Sequence, residues 1–141
     1  MSRLFLTVTL ITMFSTTHAQ TFTDYQWENR VLLLFTPSVD KPEFVEQYER
    51  LRQAPDALAE RKLKIIVVGS NGQSDELSVF VDGEKAARYY ERFEVQENEF
   101  ALFLIGLDGG TKFQASNEVT PPNQIFALID RMPMRRREMG Y

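Results

Sequence analysis

Three apolar runs constrain this chain more than any other feature: Val31 to Phe35, Leu63 to Val68 and Phe100 to Ile105. Each has the length of a strand. The first stops at Thr36-Pro37 and the second at Gly69, where the chain must turn. A strand without polar alternation is covered on both faces, so these runs predict a central sheet flanked by helices.

The intervening segments carry helix signals. Asp40, with Pro42 in the first turn and Glu43 three residues on, reads as a helix start with Asp40 as the cap. Phe44, Val45, Tyr48 and Leu51 recur at helical spacing to near Gln53, and Pro55 interrupts before a further turn over Ala57 to Arg61. Two strands around this helix form a βαβ unit, expected to be parallel and right-handed. Ser70 to Ser74 reads as a loop, and Leu77 to Val81 as either a short strand or irregular chain. Gly83 to Phe93 reads as a helix with Ala86, Ala87, Tyr90 and Phe93 on one side. Asp108-Gly109-Gly110 is a hairpin turn, and Thr111 to Ala115 alternates as a half-exposed return strand. Pro121-Pro122 opens a last helix with Ile125, Phe126, Leu128 and Ile129 facing inward, ended by Met132-Pro133. The expected class is α/β: a mixed central sheet built from a βαβ unit, a helix, a β-hairpin and a C-terminal helix.

The first 19 residues read as a cleaved signal peptide. Arg3 supplies the positive start, Leu4 to Phe14 the apolar stretch, and Thr17-His18-Ala19 the cleavage site. The apolar stretch falls short of the roughly 20 residues needed to span a membrane. No membrane span is expected after cleavage, and no Cys follows the cut to carry a lipid. The expected location is the periplasm of a bacterium with two membranes, with secretion as the alternative. Residues 20–141 then form one domain. His18, the only histidine, leaves with the signal, and the chain has no cysteine at all. Losing Arg3 leaves 15 basic against 20 acidic side chains, a net charge of −5. That balance argues against nucleic acid, which needs a basic face.

The order strand, helix, strand, helix, hairpin, helix is that of thioredoxin-like folds. Three segments, Leu32-Leu33-Leu34-Phe35-Thr36-Pro37-Ser38, Leu104 to Lys112 and Ile125 to Arg136 with its Met132-Pro133-Met134-Arg135-Arg136 ending, carry a closer likeness. They resemble a family of small exported bacterial domains of unknown function, related to domains of animal secreted matrix proteins such as the sushi-repeat-containing proteins. The resemblance runs from about Tyr25 to Met139. It implies a thioredoxin-like fold with peroxiredoxin kinship, and it supplies no activity.

In thioredoxin-like enzymes the reactive thiol sits between the first buried strand and the following helix, whose N-terminus lowers its pKa. Thr36-Pro37-Ser38-Val39-Asp40-Lys41 stands there instead, and Asn98-Glu99 precede Phe100 where those enzymes place a cis-proline. Thiol–disulfide exchange and peroxide reduction are excluded for want of a thiol. Ser38 and Lys41 match a Ser-x-x-Lys pattern in which Lys activates Ser, but the accompanying Ser-Asp-Asn and Lys-Thr-Gly motifs are absent. The structural alternative is that Asp40 caps the helix, worth about 1 kcal/mol, while Ser38 shapes the turn. Glu91, Glu94, Glu97 and Glu99, with Asp82 and Glu84 nearby, read as a solvated face, and no calcium-loop spacing predicts a metal site.

The ending Arg131, Arg135, Arg136 and Arg137 complements a helix C-terminus or presents guanidiniums to carboxylates or phosphates. Candidate binding residues are therefore Ser38, Asp40, Lys41, Arg135, Arg136 and Arg137, with no catalytic residue, metal or cofactor assigned. The expected function is a redox-inactive binding or scaffold module for a protein or small anionic ligand. The alternatives are an enzyme using Ser38 or carboxylates, and a self-associating envelope protein.

Overall fold

The computed structural model describes residues 22–141. The signal segment, its cleavage site and His18 lie outside the described residues.

A turn of 3-10 helix, Phe22–Tyr25, leads into strand β1, Arg30–Phe35. Helices α1 (Pro42–Arg52) and α2 (Pro55–Glu60) follow, then strands β2 (Leu63–Val68) and β3 (Ser78–Val81). Helix α3 (Gly83–Phe93) precedes β4 (Ala101–Ile105) and β5 (Thr111–Ser116), and α4 (Pro122–Asp130) and α5 (Pro133–Glu138) close the chain. The five strands lie in the order β3-β2-β1-β4-β5. β1, β2 and β3 run parallel, while β4 is antiparallel to both β1 and β5. The apolar runs thus fill the three central positions, where a strand has no solvent-facing side.

Alternation along β1 sorts the core into two layers. Val31, Leu33 and Phe35 face α3, meeting Ala86 and Tyr89 together with Ile66, Val68 and Phe103. Leu32 and Leu34 face the other helices, meeting Phe44, Leu51, Leu58, Ile125 and Ile129. Gln47 is the polar tie in that second layer. Its amide donates to the Thr120 carbonyl at 2.9 Å and accepts the Thr120 N–H at 2.7 Å, fixing α1 to the approach of α4.

Of the two readings of Leu77 to Val81 the strand holds: β3 is pinned because Asp75 Oδ1 accepts the N–H groups of Leu77 and Ser78, each at 2.9 Å. Other expectations need correction. On α3 the inward face centres on Ala86 and Tyr89, and Ala87 is exposed. Asp40 does not cap α1. Lys41 occupies the N-cap at φ −63°, ψ 125° without a side-chain cap bond, because the residue before Pro42 must be extended. Met132-Pro133 ends α4 but opens a further helix, α5, with Pro133 in its first turn.

Candidate functional site

The carboxyl ends of β1, β2 and β3 open onto a crevice, the usual location of ligand sites in sheets with parallel strands. Its polar lobe, about 480 Å³, is lined by Pro37-Ser38-Val39, Gly69-Ser70-Asn71 and Asp82-Gly83. A second lobe of about 320 Å³ shares Pro37, Gly69 and Gly83 and extends along α3 past Tyr90 to Glu97.

The floor depends on Gly69. Its φ of +100° suits glycine, and a Cβ there would lie 2.2 Å from the Tyr90 hydroxyl and 2.9 Å from the Thr36 carbonyl oxygen. Tyr90 packs edge-on against Phe35, with ring centroids 5.2 Å apart, and so ties α3 to the end of β1. Burial, reinforced by the charge of Glu97, raises its phenol above the ordinary value. The phenol is therefore a neutral wall at physiological pH.

The segment in the place of the thiol spends its polar groups internally. Thr36 Oγ1 donates to the Ser38 carbonyl at 2.6 Å, and Ser38 Oγ accepts the Asp40 N–H at 3.1 Å. Lys41 Nζ lies 3.8 Å from Glu43 Oε2. Ser38 and Lys41 both precede α1 rather than sharing one of its turns. Ser38 borders the crevice, whereas Asp40 and Lys41 do not line it.

The candidate arginines separate. Arg135 is only 3 % exposed and is committed to three carboxylates. It reaches Glu60 Oε1 at 2.7 Å, Asp130 Oδ1 at 3.2 Å and Glu138 Oε2 at 3.4 Å. Arg136 and Arg137 are exposed on α5. The expected triple of available guanidiniums is thus an exposed pair, since consecutive helical residues point about 100° apart, and Arg136 also lies 6.0 Å from the centre of the Tyr141 ring. Burial pushes the Asp130 carboxyl up, but hydrogen bonds from Arg61 and Arg135 outweigh it and hold the group below its ordinary value. Glu138 is likewise raised by burial and lowered further by Arg30 and Arg135, with a net downward shift.

Sequence reasoning missed Gly69, Asn71, Tyr90 and Arg30. Gly69 carried a readable signal, a glycine closing a buried parallel strand. Arg30, just ahead of the apolar run that begins at Val31, is fully buried. Both its terminal nitrogens hydrogen-bond the Glu138 carboxylate at 3.3 Å, and Nη1 also donates to the Arg61 carbonyl at 2.9 Å. Among the described residues no three acidic, histidine or cysteine side chains gather as metal ligands, and no helix is long and apolar enough to cross a membrane.

The model of a family described as Domain of unknown function (DUF4174) matches residues 21–138. No curated protein matches the chain in sequence. Among solved structures, the reduced 2-Cys peroxiredoxin of Plasmodium vivax superposes with a TM-score of 0.63 at 16 % identity, covering 82 % of this chain and 83 % of its own. A Chlorobium tepidum chain assigned as the thiol:disulfide interchange protein DsbE gives 0.55 at 15 % identity, over 77 % and 84 % of the two chains. StoA from Bacillus subtilis gives 0.51 at 13 % identity, over 71 % and 81 %. These likenesses show a thioredoxin-like fold, here built without cysteine.

Proposed function

The chain belongs to the DUF4174 family of unknown function, and from that premise we propose that it is a redox-inactive, thioredoxin-like binding module exported to the cell envelope. The observation that carries this reading is the chemistry of the crevice rim. Where a thiol would react, the hydroxyls of Thr36 and Ser38 are engaged in their own turn, while the walls beside them stay open. Ser38 Oγ accepts a backbone N–H and has no hydrogen bond to a side-chain base among the described residues. Such a rim holds a partner by shape and by hydrogen bonds without turning it over. A protein segment laid across Pro37 to Val39 and Gly69 to Asn71 is the favoured occupant.

Export rests on Arg3, the apolar stretch Leu4 to Phe14 and the cleavage site ending at Ala19. Fractionation of cells making the protein should place it outside the cytoplasm with Gln20 as its first residue. Retention in the cytoplasm with an intact start would contradict export. Binding is tested by replacing exposed Asn71 in the crevice wall with Arg. Envelope partners that co-purify with the parent protein should be lost from the Asn71→Arg variant. Equal retention would remove the crevice as the site.

A further inference from the structure

A second cavity lies at the opposite end of the sheet, where β1 begins and the β4–β5 hairpin turns. Its volume is about 330 Å³, within the range of small-molecule pockets. Leu107 comes from the hairpin, and Met132, Pro133 and Met134 come from the joint between α4 and α5. These give it an apolar body. The charged residues lining it are Arg30, Lys112, Arg137 and Asp108.

The charges do not cancel. Lys112 Nζ is neutralised by Asp108 Oδ2 at 2.8 Å, and Arg30 by Glu138 at 3.3 Å. Arg137 has no carboxylate partner among the described residues, which leaves the cavity one positive charge in excess. A second, independent feature points the same way. Arg30 Nε, on a side chain only 1 % exposed, is a buried donor without a hydrogen-bond partner among the described residues. Buried donors are rarely left unmatched, because desolvation without a partner costs about 1–3 kcal/mol. Exposed apolar residues border the same end. Met134 lines the cavity at 38 % exposure, and Trp27, 63 % exposed, donates its backbone N–H to the Leu107 carbonyl at 2.7 Å.

An apolar body beside one unbalanced cation and one unmatched N–H selects a ligand with the complementary halves. We infer that this cavity binds a small amphipathic carboxylate, with its carboxylate toward Arg137 and Arg30 and its alkyl or aryl part against Leu107, Met132 and Met134. The site stands apart from the crevice at Ser38, and either can fail without the other.

The test is a titration of the ¹⁵N-labelled protein with octanoate, followed by the amide signals, with octanol and acetate as probes of each half alone. Octanoate should shift the signals of Gly106, Leu107, Lys112, Met134 and Arg137 saturably, and both other probes should bind at least about tenfold more weakly. Arg137→Gln, an exposed change that spares the core, should weaken octanoate about tenfold, while Arg136→Gln should leave it unchanged. Octanol binding as tightly as octanoate would overturn the inference, as would acetate doing so. Equal octanoate affinity in Arg137→Gln, equal losses in both variants, or shifts confined to other regions would overturn it too.

Discussion

Two residues show how much of this molecule rests on single positions. Gly69 is held between Tyr90 and Thr36 at a φ of +100°, so Gly69→Ala combines a steric clash with backbone strain. It should cost about 2 kcal/mol in urea denaturation, within the range for a residue forced into an unfavourable backbone region. Arg135 has the opposite character: a cation kept inside by Glu60, Asp130 and Glu138. Breaking a fully buried pair costs about 3–5 kcal/mol. Glu60 is largely exposed, so Arg135→Met should cost less, about 2 kcal/mol at neutral pH. The sign of its pH dependence follows from the carboxylates. Asp130 and Glu138 are held below their ordinary values of 3.8 and 4.5 in the fold, so the unfolded chain takes up protons first as pH falls. Their contribution is complete above the ordinary carboxylate range and lost as pH drops through the lower, folded values. Paired melts of the parent and Arg135→Met should therefore differ most at neutral pH and converge in acid. A gap that widened on acidification would contradict the assignment.

Among the elements, α5 has the largest unforeseen role. It closes over the start of β1, and Glu138 at its end meets the fully buried Arg30. Glu138→Ala should strand that guanidinium and cost about 3 kcal/mol, read as a lowered denaturation midpoint without a changed slope. A neutral result would mean that Arg30 finds water or another acceptor. The three central strands, the hairpin and the bounds of α3 were legible in the sequence because burial on both faces and Asp-Gly-Gly leave local signatures. The start of α1 was misread at Asp40, since the constraint that Pro42 places on Lys41 outranks the preference of Asp for caps. α5 was hidden because Pro133 both stops a helix and suits the first turn of another. The roles of Arg30 and Arg135 were illegible for a different reason. Arg30 meets Glu138 across 108 residues and Arg135 meets Glu60 across 75, and no local pattern encodes such pairs; the nearer Asp130 and Glu138 do not by themselves show that Arg135 is buried.

At the scale of the whole molecule, the fold is thioredoxin-like and the chain has no cysteine. Fold does not dictate function, and what the chain does must be read from its sites. The site that carries the proposal is the crevice at the carboxyl ends of β1 to β3, with Ser38, Gly69, Asn71 and Gly83 on its walls. With no thiol, the protein should leave peroxide and disulfide substrates unchanged in turnover assays, and measurable turnover would require a chemistry outside this account. The most direct measurement is photo-crosslinking in cells from a reactive amino acid placed at Asn71, compared with one at Glu49 on the exposed side of α1. A binding module predicts a discrete crosslinked partner from Asn71 and none from Glu49. Identical patterns from both positions, or no adduct from Asn71, would contradict the claim that this crevice exists to hold a partner.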